Sequence, residues 1–374
     1  MNNLDLIQSY IKKYGSILIV DKQNIVKNFE FIQKNSPQSI ISAVLKNDAY
    51  GFGINNIAPI FEKLTNHYFV ATLSEAIIFR KLNAFANIYV LHGVLEGQEE
   101  EFVANNLIPV LNTLNQIKIY NDFAYKKNKK LACFLNFETG LNRLGLTKEE
   151  TKYILENKDI TKNLDILYAM SHLALVGSNK NEEPEATLNQ YNKFITLTEH
   201  FKNTPRSLCA SNALSLPSKY HFNMIRGGIS FYGGNPEAKT KVEGLSEVLH
   251  IYTSILQVKK IKAGEGVGYD HIYKAPNDRV IAIVPIGYGD GLVKRATGNA
   301  SVYINNIKCP VLGIISMDLT IIDITDIPTF LQKEGVVVEI LGKNQTINQL
   351  TAPAGTNGCE VFNKLSVRYP VIYI

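Results

Sequence analysis

The stretch SIISAVL at residues 39–45 runs directly into KNDAYGFG at residues 46–53. Apart from its serines the first part is apolar, and it reads as a buried strand. That strand ends on a lysine, with a tyrosine and two glycines just behind it. An ammonium at the rim of a core is costly unless it is solvated, paired or used in chemistry. Taken alone, Lys46 is most simply a side chain whose stem packs on the strand while its head reaches water. Its surroundings change that reading.

Similar short runs recur on both sides: SILIV (16–20), HYFVAT (67–72), NIYVLHG (87–93), IPVLN (108–112), LACFLNF (131–137), LDILYAM (164–170) and SLCAS (207–211). Longer amphipathic stretches separate them, such as NIVKNFEFIQKN (24–35) with Ile25, Val26, Phe29 and Ile32 at roughly helical spacing. Strands alternating with helices predict a parallel sheet. About eight such units fit a closed (β/α)8 barrel, a TIM-like α/β fold, better than an open sheet. No GxGxxG follows the first strand, which argues against a dinucleotide fold. Beyond about Gly234 the texture changes to strand-like segments divided by turns, among them RVIAIVPIGYGDG (279–291) and ASVYINNIKCPVLGII (300–315). This predicts a mainly-β C-terminal domain, with domains at 1–237 and 238–374 and a linker in NPEAKTKVEG (235–244).

Of the 374 residues, 45% are hydrophobic and 20% charged, as in ordinary globular proteins. A net charge of +5 without a long basic block points away from nucleic acid. The longest apolar runs are too short to span a bilayer, and the opening residues lack a secretory pattern. Cys133, Cys209, Cys309 and Cys359 are scattered without metal-site spacing. The expectation is a cytoplasmic protein that binds neither membrane nor metal.

Functional groups of a β/α barrel gather at the C-terminal ends of its strands. Here those ends carry Lys46, then Asn136, Glu138 and Arg143 in NFETGLNRLG, His172, Ser211 with Asn212, and Arg226 in NMIRGGISFYG. Each has an ordinary reading: a core histidine, a turn-forming asparagine, an arginine in a salt bridge. Polar groups closing one strand after another of a single barrel are harder to dismiss together. The RGG turn exposes backbone N–H groups that suit a phosphate, near the last two strands where barrels often hold one. A phosphate turn combined with a strand-end lysine suggests pyridoxal phosphate, whose aldehyde an amine can capture.

With these motifs assembled, the chain resembles the alanine racemase family. AVLKNDAYGFG, NFETGLNRLG, SNALS, NMIRGGISFYG, GEGVGYDHIY, PIGYGDG and SMD follow in that family's order. The resemblance covers about 16–370 and implies a pyridoxal-phosphate barrel, a β domain, and a homodimer with shared active sites acting on a small amino acid. It implies that Lys46 holds the cofactor and is one catalytic base, and that Tyr269, lent by the partner subunit, is the other. Inversion requires a proton to leave one face of a planar centre and arrive on the other, so two bases are needed.

The resemblance further assigns Tyr50, Asn212, Gly228 and Ile229 to the cofactor, the last two through backbone N–H. It places Arg226 opposite the pyridine nitrogen and makes His172 the partner that tunes Tyr269. Arg143, Met317 and Tyr288 fall to the substrate.

Three positions depart from the family's pattern. Asn136 stands where many members carbamylate a lysine, so a chloride between Asn136 and Arg143 is expected instead. Ala213 replaces a serine that contacts the phosphate, and Cys359 stands where some members carry a late tyrosine that touches the phosphate. The implied activity is interconversion of L- and D-alanine for peptidoglycan. The alternatives are a racemase of broader specificity, a non-catalytic protein of pyridoxal phosphate homeostasis, and a decarboxylase sharing the barrel.

Overall fold

Runs that are apolar on both faces need cover on both faces, and eight of them find it in a ring of parallel strands. The computed structural model describes residues 3–177, 179, 181–236, 242–365 and 368–374. The chain divides into two units, one of Asn28–Phe231 with Thr240–Gly244, the other of Met1–Lys27, Tyr232–Lys239 and Leu245–Ile374. The domain boundary expected between residues 237 and 238 lies outside the described residues.

In chain order the first nine strands are β1 (Ser16–Val20), β2 (Ile40–Val44), β3 (His67–Val70), β4 (Asn87–Val90), β5 (Leu107–Leu111), β6 (Leu131–Asn136), β7 (Leu164–Met170), β8 (Arg206–Ser207) and β9 (Met224–Gly227). Strands β2 to β8 pair in sequence, and β9 pairs with β2, Ile40 lying opposite Met224 and Ala43 opposite Gly227. A parallel bridge between Ala210 and Arg226 joins the remaining two ends, so the ring closes as the expected α/β barrel.

Aromatic rings from strands that are not neighbours meet inside it. Phe134 of β6 lies 4.6 Å from Tyr89 of β4 and 5.8 Å from Phe69 of β3, centroid to centroid. Only the interior of a closed barrel brings those strands together. Threonines start several of the intervening helices. Thr72 and Thr147 each form a reciprocal capping box, with Glu75 and Glu150 respectively.

The structure corrects one grouping. Strand β1, SILIV, reads by its pattern as a barrel strand, but it pairs antiparallel with β10 (Leu249–Ser254) and parallel with a late strand, Val371–Tyr373. All five of its residues are buried, and Ile17 and Ile19 pack with Ile7 and Ile11 of the helix Asn3–Tyr14. Apolar cover on both faces makes it indistinguishable by pattern from a barrel strand. The eighth stave is instead β9, a fully buried strand in which arginine and glycine disguise the pattern.

The other unit is mainly β, as expected. It holds a nine-stranded sheet that includes β1 and β10, and a small hairpin of Gly266–Val267 with Tyr273–Lys274. Among the described residues no helix is long and apolar enough to cross a membrane.

Candidate active site

Immediately after β2 the backbone takes an unusual path. Asn47, Asp48, Ala49 and Tyr50 have φ of 53°, 53°, 54° and 60°, and Gly51 follows at 83°. Four consecutive L-residues thus form a left-handed turn, at roughly 1–2 kcal/mol each, least for Asn and Asp. Such a conformation persists only where surrounding bonds hold it. Glu75 Oε1 accepts the Asn47 N–H at 2.7 Å, and Asp48 Oδ1 accepts the Ile54 N–H at 2.7 Å. The turn leaves Lys46 half-buried at the strand end and brings Tyr50 back toward β9. A Cβ on Gly228 would lie 2.2 Å from the Tyr50 hydroxyl, so only glycine admits that approach.

Beyond β9, the Gly228 and Ser230 N–H groups both donate to the Ser211 hydroxyl, at 2.9 and 3.3 Å. The Gly228 N–H expected for a phosphate therefore meets a serine oxygen that rotation of one side-chain torsion can move aside. The Ser230 hydroxyl is buried and finds no hydrogen-bond partner among the described residues. Ile229 is buried between them. Hydrogen-bonding groups around a position cleared by glycine fit the phosphate of pyridoxal phosphate. Asn212 is buried, and its Oδ1 accepts the Ala210 N–H at 2.8 Å, building the turn after β8. The side chain of Ala213 lies outside those described.

Arg226 is only 4% exposed. It donates to Ser207 Oγ (2.5 Å), Ser171 O (2.6 Å) and Leu208 O (3.1 Å), and lies 3.3 Å from His172 Nδ1. No carboxylate pairs with it among the described residues. Burial, with a smaller contribution from Arg143, pulls its pKa down to about 10, so it stays charged at neutral pH. A guanidinium can only donate, so His172 Nδ1 faces it as an acceptor and the ring proton is assigned to Nε2. Burial first, then the charges of Arg226, Arg143 and Lys46, depress the His172 pKa to about 3. The structure therefore gathers Lys46, Arg143, His172 and Arg226 within electrostatic reach at one end of the barrel. Three cations around a neutral imidazole favour an anionic ligand.

Arg143 is exposed on a loop closed by Glu138 N–H to Leu146 O (2.9 Å) and Leu146 N–H to Asn136 O (2.8 Å). Asn136 Nδ2 donates to Asn112 Oδ1 at 2.8 Å and to Leu144 O at 3.1 Å. Both amide hydrogens are thereby engaged, and a chloride seated there competes with two protein acceptors.

Tyr269, Tyr288 and Met317 lie in the other unit. Tyr269 sits at the tip of the small hairpin, between Gly268 at φ 71° and Asp270 at φ 57°, and is 67% exposed. Met317 is 63% exposed. Tyr288 is half-buried, with Lys294 Nζ 5.4 Å from its ring centroid. The Tyr288 and Gly289 N–H groups donate to Ser316 O (3.0 Å) and Met317 O (2.8 Å), joining the two loops. A Cβ on Gly287 would stand 2.3 Å from Ser316 O, which explains the glycine of GYG. Buried Asp290 fastens the same loop, accepting from Gly287 N–H (3.0 Å) and from Arg368 (2.6 Å).

Sequence reasoning missed Glu75, Ser171 and Ser207. For Glu75 a signal existed, the T-x-x-E spacing from Thr72. For the two serines none did, because their partner Arg226 is distant in the chain.

Comparisons with known proteins cover both units. The family model for "Alanine racemase, N-terminal domain" matches residues 20–236, and that for "Alanine racemase, C-terminal domain" matches 248–373. The alanine racemase of Rickettsia bellii (strain RML369-C) is 37% identical over 336 residues, spanning 89% of this chain and 81% of that relative. That of Rickettsia canadensis (strain McKiel) is 36% identical over 354 residues, spanning 94% and 97%. The crystal structure of alanine racemase from Bartonella henselae with covalently bound pyridoxal phosphate superposes with a TM-score of 0.87 at 30% identity, covering 96% of this chain and 99% of that one.

Proposed function

This chain belongs to the alanine racemase family, and from that premise we propose that it is a pyridoxal-phosphate-dependent racemase interconverting L- and D-alanine. In this reading it works in the cytoplasm as a homodimer and supplies D-alanine for peptidoglycan. Bound pyridoxal phosphate supplies an electron-withdrawing ring that acidifies the α-hydrogen of the amino acid attached to it. Lys46 holds the cofactor and exchanges the α-proton on one face. Tyr269 of the partner subunit exchanges it on the other, so one proton leaves as another arrives and the stereocentre inverts. Arg226 donates a hydrogen bond toward the ring nitrogen. Tyr50 and the backbone at Gly228 and Ile229 hold the phosphate, and Asn212 shapes the adjoining turn. Arg143, together with the backbone N–H of Met317 of the partner subunit, binds the substrate carboxylate, and Tyr288 borders the entrance.

The observation that carries this reading is a strand-end lysine beside a buried arginine bonded to hydroxyl and carbonyl oxygens, with no acid among the described residues. A hydrogen-bond donor rather than an acid suits the ring nitrogen, because it leaves the sink weak and favours proton exchange over side reactions. Reduction of the purified protein with borohydride is expected to leave a pyridoxyl group on Lys46, located by peptide mass. With alanine in deuterated water, both enantiomers are expected to exchange their α-hydrogen. A protein that takes no pyridoxyl label, or exchanges neither enantiomer, rules the proposal out.

A further inference from the structure

We infer that Glu75 is a positioning residue that holds the left-handed turn after Lys46, and so sets both the Lys46 amine and the Tyr50 hydroxyl for pyridoxal phosphate. The inference rests on the proposed cofactor. Its physical basis is the number of backbone donors that one carboxylate collects. Oε2 accepts from the Ala71 and Thr72 N–H groups, at 2.7 and 3.3 Å, while Oε1 accepts from Asn47 at 2.7 Å. Capping the helix Leu73–Leu82 requires only the Thr72 contact. The bond to Asn47 is additional, and it ties the segments following β2 and β3, neighbouring strands in which Val44 lies opposite Phe69.

Asn47 is the first residue of the left-handed turn. Four successive L-residues in that region are strained, and a charge-assisted bond at the first of them opposes relaxation. Relaxation to the right-handed region would redirect the chain beyond Lys46 and withdraw Tyr50 from its approach to Gly228. Glu75 touches neither cofactor nor substrate. It acts through the backbone.

The test compares Glu75→Ala with the parent protein, with and without pyridoxal phosphate. Pyridoxal phosphate added back to the stripped variant is expected to bind about ten-fold more weakly, the loss of a charge-assisted hydrogen bond. Amides 47–51 are expected to exchange hydrogen faster in the stripped variant. Thr72→Ala, which removes the other half of the cap, is expected to lower Tm while leaving cofactor affinity intact. Adding Ala49→Gly to the Glu75 variant is expected to restore part of the affinity, because glycine takes positive φ without a Cβ penalty.

Parent-like cofactor binding and parent-like exchange at 47–51 in Glu75→Ala overturn the inference. An equal loss of affinity in Thr72→Ala overturns it as well. Should Glu75→Ala fail to fold, Glu75→Gln serves, since one amide oxygen cannot serve both sets of donors. If the parent itself takes no pyridoxyl label at Lys46, the proposed function fails. Exchange at 47–51 then still decides whether Glu75 holds the turn.

Discussion

Arg226 keeps its charge among hydroxyl and carbonyl oxygens and an imidazole. Its value lies in being unable to accept a proton, so whatever faces it receives a hydrogen bond and remains deprotonated. Arg226→Glu places an acid among carbonyl oxygens. We expect slower racemisation and a changed absorbance spectrum of the bound cofactor; an unchanged spectrum removes Arg226 from contact with the ring. His172 carries a separate consequence. Its pKa falls from an ordinary 6.5 to about 3 in the folded state, so between those values the unfolded chain binds the extra proton. The contribution of His172 is therefore complete above pH 6.5 and is lost as pH falls toward 3. His172→Asn is expected to flatten that decline in a series of melting curves. Equal slopes in both proteins rule out His172 as a source of acid sensitivity.

At the scale of elements, the barrel depends on rings that reach across its axis. Phe134 is fully buried and meets Tyr89 of β4, Phe69 of β3 and Tyr168 of β7, the last at 4.8 Å. Phe134→Ala removes the member shared by all three contacts and is expected to cost about 3–5 kcal/mol in denaturant unfolding. A loss below about 1 kcal/mol would mean that the interior collapses around the gap. In the other unit the decisive element is a pair of loops. Gly287 lets the Tyr288 loop lie directly on the backbone of Ser316 and Met317, and Asp290 with Arg368 fastens it there. Those loops carry two of the proposed substrate-facing residues, so their spacing is set by backbone contact rather than by side-chain packing.

At the scale of the whole molecule, the proposed chemistry needs two copies. Tyr269, Ile272 and Met317 are exposed in the single chain, at 67%, 56% and 63%. A shared site makes a sharp prediction. Lys46→Ala and Tyr269→Phe proteins are each expected to be nearly inactive. Co-refolded in equal amounts, they are expected to regain about a quarter of parental activity, because half the dimers are mixed and each mixed dimer has one intact site. A mixture that stays inactive would show that both groups serve a site from the same chain.

The class of fold can be read from the residues alone, and so can most of the positions proposed to carry chemistry. Unbroken apolar runs report burial on both faces, and residues that close such runs report what a barrel presents at its mouth. Lys46 and His172 were legible for that reason, Arg143 by the polar loop that follows such a run, and Arg226 by the Gly pair behind it. The pattern was silent on partners. SILIV and the barrel strands are equally buried, and only pairing with Leu249–Ser254 assigns the former to the β unit. Strand β9 was hidden because its arginine is solvated by Ser207, Ser171 and Leu208, groups 18 to 55 residues away. The handedness of the turn after Lys46 was likewise beyond reach, since nothing in KNDAY other than Asn and Asp favours positive φ. Tertiary structure decided it, through a carboxylate 28 residues further along that offers its oxygen to the Asn47 amide. Local composition records how far each residue is removed from water, whereas which donor meets which acceptor depends on contacts formed only once the ring has closed.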